Sequence, residues 1–355
     1  MEIFSGSLKS DSDRKRAIAR LSQIPFIGQY VASLSPQIID NYLNGSVGFI
    51  KSEMINPLVN KITLTGEDGK TETGIMLAMP FPGVSILTGN FSKIDKLNNM
   101  VNVESGPTTV FHYCFMGRCE VRTEDGQYAF MDRHTIAVET HADHRKRLDF
   151  IDEDYKGLEI AFSHDFFDEK SEEMLKLFAI DLKKMRGLKE VLIGEASDKL
   201  KAAEQDLADL LGSKDLTVPS LMTRVALIAD LVEQGSYKAE GKRFFLTKGQ
   251  RKIASEVHDL ILQDLSIDIT TERLAEQFKI SPVSLNKYFK IMYGDSISRY
   301  ANAYKMKVAA RRLTNSATSV ADIAAMVGYD NPSKFGTAFK RIYEVTPSEY
   351  RRLNS

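Results

Sequence analysis

The stretch LAEQFKISPVSLNKYFK, residues 274–290, and its later counterpart SVADIAAMVGYDNPSKFGTAFKRIY, residues 319–343, decide how this chain is read. In the first, Thr270 is placed to cap a helix through ERLAEQF, Lys279 and Ile280 supply a turn, and Ser281 caps a second helix that opens on Pro282. A hydroxyl oxygen at a helix start accepts one of the amide hydrogens that have no partner within the helix, and proline suits the first helical position because it has no such hydrogen. Leu285, Tyr288 and Phe289 then fall on the inward side, with Val283, Asn286, Lys287 and Lys290 outside. The second block repeats the plan. Ser319 caps VADIAAMV with Asp322 at the third helical position, Gly328 ends that helix, and Asn331 and Pro332 open PSKFGTAFKRIY. There Phe335 and Phe339 turn inward, and Ser333, Lys334, Gly336, Thr337 and Lys340 turn outward. A pair of helices joined by a tight turn, the second shaped to enter a major groove, is a helix-turn-helix, and the spacing predicts two of them.

Between the pairs, SISRYANAYKMKVAARRLTNS predicts one long helix with Ile297, Tyr300, Tyr304 and Val308 near one face and Ala309 and Leu313 adding to its apolar side. Such a helix would hold the two reading helices about one DNA turn apart, near 34 Å. Taken together with Gly294, Ser296 and the closing TPSEYRR, these blocks resemble the AraC/XylS family of bacterial transcription regulators, over Leu265 to Arg352. The resemblance implies base-reading roles for Val283, Asn286 and Lys287 in the first pair and for Ser333, Gly336 and Thr337 in the second. Asn286 has the chemistry for a bidentate contact with an adenine edge and Lys287 for guanine O6 or N7. Lys290, Lys340 and Arg341 are placed for phosphates, which position a protein without specifying sequence. Three positions depart from the family pattern. Lys305 stands where arginine is usual, Glu344 stands where glycine is usual, and Gly336 offers no side chain at a reading position, so weaker contact is expected from the second half.

The charge distribution agrees with this division of labour. The formal net charge is −1, yet from residue 251 onward 16 Lys and Arg face 11 Asp and Glu, an excess of five, while the remainder carries 31 against 37. An acidic body with a basic tail is what a protein needs when only the tail must approach phosphates. At 355 residues, 43% hydrophobic and 27% charged, the chain has the composition of a globular protein with two domains and a helical connector. Cys114 and Cys119 lack a second Cys or His pair at zinc-finger spacing and are read as reduced thiols in a cytoplasmic protein. The opening MEIFSGSLKSDSDRKR has no apolar stretch behind its basic residues, and no uncharged apolar run approaches 18 residues, so neither a secretion signal nor a membrane span is expected.

Ahead of the tail, PQIIDNYLNGSVGF reads as a short helix ending near Asn44 and Gly45. KITLTGEDGKTETGIMLAM, TTVFHYCFMGRCEVRTEDGQYAFMD and HTIAVETH then combine β-branched and aromatic residues with Gly and Asp-Gly turns, and CEVRT and QYAFM flank a hairpin turn at Glu124, Asp125 and Gly126. From Phe166, SEEMLKLFAIDLKKMRGLKEVLIG, ASDKLKAAEQDLADLLG and VPSLMTRVALIADLVEQG read as helices, and SYKAEGKRF as a linker. The overall expectation is an α+β chain: a β-rich, cupin-like small barrel for effector binding over 1–165, a helical connector or dimerisation region over 166–236, a linker over 237–249, and the all-α DNA-binding domain over 250–353. A small-molecule pocket in the barrel would draw on Phe111, Tyr113, Phe115 and Phe130, with Arg118 or Arg133 receiving an acidic group. HTIAVETHADH, with His134, Glu139, His141, Asp143 and His144, has ligand chemistry but neither the spacing of a helical zinc site nor that of a cupin, and reads as a solvated loop. No metal, cofactor or catalytic residue is expected. The partners implied are double-stranded promoter DNA, RNA polymerase, an unidentified small-molecule effector and a second copy of the chain, with activation the expected outcome. Two other readings stand beside this one, a protein-binding scaffold that reuses the helix-turn-helix unit and a metal-dependent cupin-like enzyme. Lysines and Asn286 on the outer face weigh against the scaffold, which would favour large apolar residues there.

Overall fold

The computed structural model describes residues 2–5, 47–66, 72–91, 107–122, 126–141, 149–152, 154–186, 191–239, 245–263, 265 and 270–354. The chain divides into two compact units, Met1–Phe245 and Leu246–Ser355. The expected short helix near Asn44 lies outside the described residues.

The first unit is built on strands β1 (Glu2–Ser5), β2 (Val47–Asn56), β3 (Val59–Gly66), β4 (Glu72–Phe81), β5 (Val84–Phe91), β6 (Thr108–Met116), β7 (Cys119–Arg122), β8 (Tyr128–Met131), β9 (Thr135–His141), β10 (Asp149–Phe150) and β11 (Tyr155–Ser163). Helices α1 (Glu169–Leu177) and α2 (Leu182–Arg186), strand β12 (Leu192–Ala196), helices α3 (Asp198–Leu211) and α4 (Val218–Glu233) and strand β13 (Tyr237–Ala239) follow. The main sheet has ten strands in the order β1-β2-β3-β4-β5-β11-β6-β9-β12-β13. Its end strands β1 and β13 are not neighbours, so the sheet is open and the expected barrel is wrong. Closing a barrel requires the first and last strands to complete the hydrogen-bond circuit. Here β12 and β13, which arrive after helices, extend the β9 edge instead of returning to β1. A second sheet includes β10-β7-β8 in that order. The hairpin at Gly126 forms as expected: Cys119–Arg122 pairs with Tyr128–Met131, and Gly126 has φ of 78°, which glycine adopts without a Cβ clash.

β6 is buried along nearly its whole length. Phe111 and Tyr113 point to one face, where they meet Val138 and Ile136 of β9, their register partners, and a layer from α3 and α4 including Leu200, Leu207, Met222 and Ile228. The stretch 166–236, read above as a connector or dimerisation region, therefore contributes to the core of the first unit. Part of it is not helical: Leu192–Ala196 pairs with β9 and with β13. Toward the small sheet, the rings of Phe91, Phe150 and Tyr155 cluster, with Phe150 at 4.8 Å from Phe91 and 4.6 Å from Tyr155.

The second unit is helical: α5 (Lys248–Gln263), α6 (Thr271–Gln277), α7 (Pro282–Tyr293), α8 (Ile297–Asn315), α9 (Val320–Met326), α10 (Pro332–Tyr343) and α11 (Pro347–Asn354). The helix starts read from sequence are in place, with the side chains of Thr270, Ser281, Ser319 and Asn331 each accepting a backbone N–H from the first turn of the helix they precede, and Ser296 does the same for α8. α8 buries Ile297, Ala301, Met306, Ala309, Ala310 and Leu313, whereas Tyr300, Tyr304 and Val308 are half-buried. The expected single stripe is absent because one helix serves two cores. Near its start, the Tyr300 ring meets Phe289 edge-on at 5.3 Å, and near its end Met306, Ala309 and Leu313 pack with Ile323, Phe335 and Phe339.

The two helix pairs use left-handed backbone at matching places with exchanged residue types. Lys279 (φ 54°) makes the first inter-helix turn and Gly294 (φ 86°) ends α7, while Gly328 (φ 79°) makes the second turn and Glu344 (φ 63°) ends α10. A side chain in this region costs about 1 kcal/mol relative to glycine. Glu344→Gly is therefore expected to stabilise the second unit by about 1 kcal/mol, measured as an increase in urea midpoint at unchanged slope.

Candidate functional site

On α7, Val283 is 80% exposed, Lys287 and Lys290 are exposed, and Leu285 and Phe289 are fully buried beneath them. Asn286 is placed differently from its neighbours. It is half-buried, and its Oδ1 accepts the backbone N–H of Ile297 at 3.1 Å, tying α7 to the start of α8. A bidentate adenine contact needs that same oxygen, so in this structure Asn286 fixes the angle of the reading helix and has only its amide N–H groups to offer a base. Its sequence signal is that of any outward polar residue, because its partner lies 11 positions away.

On α10, Ser333, Lys334, Thr337, Lys340 and Arg341 are exposed. The Thr337 hydroxyl donates to the Ser333 carbonyl at 3.0 Å, and a Cβ built on Gly336 would meet nothing within 4 Å. The space over Gly336 is thus open to a close-approaching partner. Neither α7 nor α10 contains an acidic residue, and together they present Lys287, Lys290, Lys334, Lys340 and Arg341. Two further contacts brace the second pair. Arg351 donates to the carbonyls of Leu313 and Thr318, clasping α11 to the end of α8, and the Tyr329 hydroxyl donates to Asn302 Oδ1 at 2.7 Å. Sequence reading found neither, since each joins residues far apart in the chain.

The core behind the first pair contains a histidine. His258 of α5 stacks on Tyr293 with ring centroids 4.3 Å apart, and its Nε2 lies 2.9 Å from the Tyr300 hydroxyl. Burial lowers its pKa, because the charged ring loses water; Asp259 opposes this in part. Folding thus favours the neutral ring. Its contribution to stability is complete above the unfolded value near 6.5 and is lost as pH falls from there through the lowered folded value. The urea midpoint of the second unit is therefore expected to drop below pH 6.5, and a His258→Gln protein is expected to lose that part of the drop.

Of the six residues expected around an effector, Phe111, Tyr113 and Phe115 lie on β6, Phe130 lies on β8, and Arg118 and Arg133 lie on the turns before β7 and β9. Tyr113 and Phe130 are buried in the core, Tyr113 with its hydroxyl 3.0 Å from His134 Nδ1. Phe115 packs edge-on against Tyr113 at 4.8 Å with Lys156 over its ring. Arg118 is 3.4 Å from Asp132, and Arg133 is exposed on the turn before β9. Phe111 lines a cavity of about 500 Å3. In HTIAVETHADH, His134 occupies a left-handed turn (φ 67°) and Glu139 is buried at 3.4 Å from His112, whose other ring nitrogen is 3.4 Å from Glu159. Asp143 and His144 lie outside the described residues. Among the described residues no group of three or more His, Cys, Asp or Glu is arranged to hold a metal ion, and no helix is long and apolar enough to cross a membrane.

Two capped helix pairs on a shared spacer helix, each with a cationic outer helix, define the second unit as a double helix-turn-helix. Residues 274–353 match the family model described as a helix-turn-helix domain. The xylose operon regulatory protein of Escherichia coli K12 is 33% identical over 87 residues, 24% of this chain and 22% of its own length. The regulatory protein PocR of Salmonella typhimurium is 34% identical over 88 residues, 25% of this chain and 29% of its own length. Among solved structures, the C-terminal domain of AraT, a response regulator from Geobacillus stearothermophilus, is 34% identical, with 28% of this chain and 84% of that one covered and a TM-score of 0.28. The chain thus spans less than a third of the length of these two curated relatives. The second unit carries a DNA-binding transcription-regulator domain of the AraC/XylS type.

Proposed function

We propose that the chain is a sequence-specific transcription activator whose second unit reads promoter DNA and whose first unit senses a small-molecule effector. The observation that carries the DNA-reading part is the outer face of α7 and α10, with five cations, no carboxylate, and Val283, Ser333 and Thr337 exposed among them. Val283 offers a methyl surface for thymine, Lys287 a donor for guanine, and Ser333 and Thr337 short hydroxyls for either groove edge, with Gly336 permitting close approach. Lys290, Lys340 and Arg341 bind phosphates on either side. Asn286 acts by setting the pose of α7. Activation through RNA polymerase, and pairing of two copies through the first unit, follow from the family resemblance. Effector control requires that the effector bind one DNA-binding state of the protein better than the other.

Selection from random duplex DNA with the full-length protein, followed by salt titration, tests this. Enrichment of two short boxes about one helical turn apart supports the reading. A salt slope that falls by about one for each of Lys290→Ala and Lys340→Ala supports their phosphate role. Failure of folded full-length protein and of folded residues 246–355 to enrich any sequence overturns it.

A further inference from the structure

The cavity beneath α4 is assigned no role by the DNA-binding reading. Its floor is Phe111 and Val138, paired across β6 and β9, with Leu192 of β12 and Tyr237 of β13 beside them, and Met185 and Val232 close it from the helix side. α4 presents the short side chains of Ala226 and Ala229 to this space. At about 500 Å3 it falls in the range of small-molecule sites. The mouth is acidic: among the described residues it carries Asp181, Asp230 and Glu233 against Lys184, and Lys184 is paired with Glu233. Asp181 is held by accepting the backbone N–H groups of Lys183 and Lys184 at 2.9 and 3.2 Å through Oδ1, and Asp230 by accepting from Gln234 at 2.7 Å through Oδ2. Each carboxylate is thereby fixed in place through one oxygen, with the other oxygen able to accept from a ligand.

We propose that this cavity is a binding site for an apolar molecule bearing a cationic amine, its body on Phe111, Val138 and Tyr237 and its ammonium at Asp181 and Asp230. The charge is opposite to the acidic effector that Arg118 and Arg133 would have suggested, because those arginines are elsewhere and the mouth that exists is anionic. The inference rests on the effector-sensing part of the proposed function.

The test uses n-octylamine, octanoate and 1-octanol as probes against the full-length protein, by titration calorimetry and ligand-observed NMR. Octylamine is expected to bind at least tenfold more tightly than octanoate. An Asp181→Asn plus Asp230→Asn protein, altered only at exposed positions, is expected to weaken octylamine at least fivefold and leave octanol unchanged. Ala226→Trp is expected to abolish binding of both. Equal binding of octanoate, no binding of any probe, or octylamine binding indifferent to the aspartate changes overturns the site. DNA affinity with and without octylamine separates the two levels: binding that depends on the aspartates without any change in DNA affinity upholds the site and overturns effector control through it.

Discussion

The parent chain is expected to lose stability between pH 4.5 and pH 8, and a Glu204→Gln protein is expected to escape most of that loss. Glu204 lies on the inward face of α3 with Leu200, Leu207 and Leu211; it is 1% exposed, and neither carboxyl oxygen has a hydrogen-bond partner. A carboxylate cannot be left charged and unpaired in such a place, so burial raises its pKa from 4.5 to about 8. The sign follows from proton counting. The folded state holds a proton that the unfolded state releases above about 4.5, so the stabilising contribution is complete below that value and is lost as pH rises through the folded value near 8. Integrated over the window the loss is of the order of 5 kcal/mol, which glutamine, having no proton to lose, does not incur. Urea unfolding followed by circular dichroism from pH 5 to 9 reads the difference between the two proteins. Parallel stability curves would show that Glu204 is ionised and paired in solution.

The second large effect concerns DNA. Val283→Glu together with Lys287→Glu is expected to lower affinity for the selected sequence by about 100-fold or more, at roughly 1–3 kcal/mol per lost reading contact. The melting temperature should not change, because both side chains are exposed. Asn286→Ala provides the contrast. It removes the acceptor of the Ile297 N–H and so is expected to reduce stability and DNA affinity together. Fluorescence anisotropy with labelled duplex, beside thermal melts of each protein, separates the two behaviours; a charge-reversed protein that binds as tightly as its parent would remove α7 from the interface.

The helical tail was legible because its determinants are local. A cap serine, a proline at the first helical position and a left-handed residue at the turn act within four residues of one another, and Ser281, Pro282 and Gly294 can each be read in place. The sheet was not legible at the same level. Its strands were visible as β-branched runs, but their order depends on pairings such as Leu158 with Tyr113 and Leu192 with Val138, which no local pattern encodes. That gap let an open sheet pass for a barrel. Leu192–Gly194, read as the end of a helical segment, was misread for a related reason: a strand laid between β9 and β13 is chosen by its partners, not by its own periodicity. The cavity escaped for a further reason, since its lining is gathered from residues as far apart in the chain as Phe111, Met185 and Tyr237.

Because α8 is built into both cores, the two reading helices are the ends of a single caliper. Its 19 residues, about 28 Å at 1.5 Å per residue, cannot stretch to follow a target whose halves have drifted apart. Under the proposed function, promoters would change letters within each half and lose affinity by degrees, whereas gain or loss of a few base pairs between halves would rotate one half out of reach in a single event. The inheritance of these regulatory sites would then be gradual in sequence and abrupt in spacing, a constraint set by one helix.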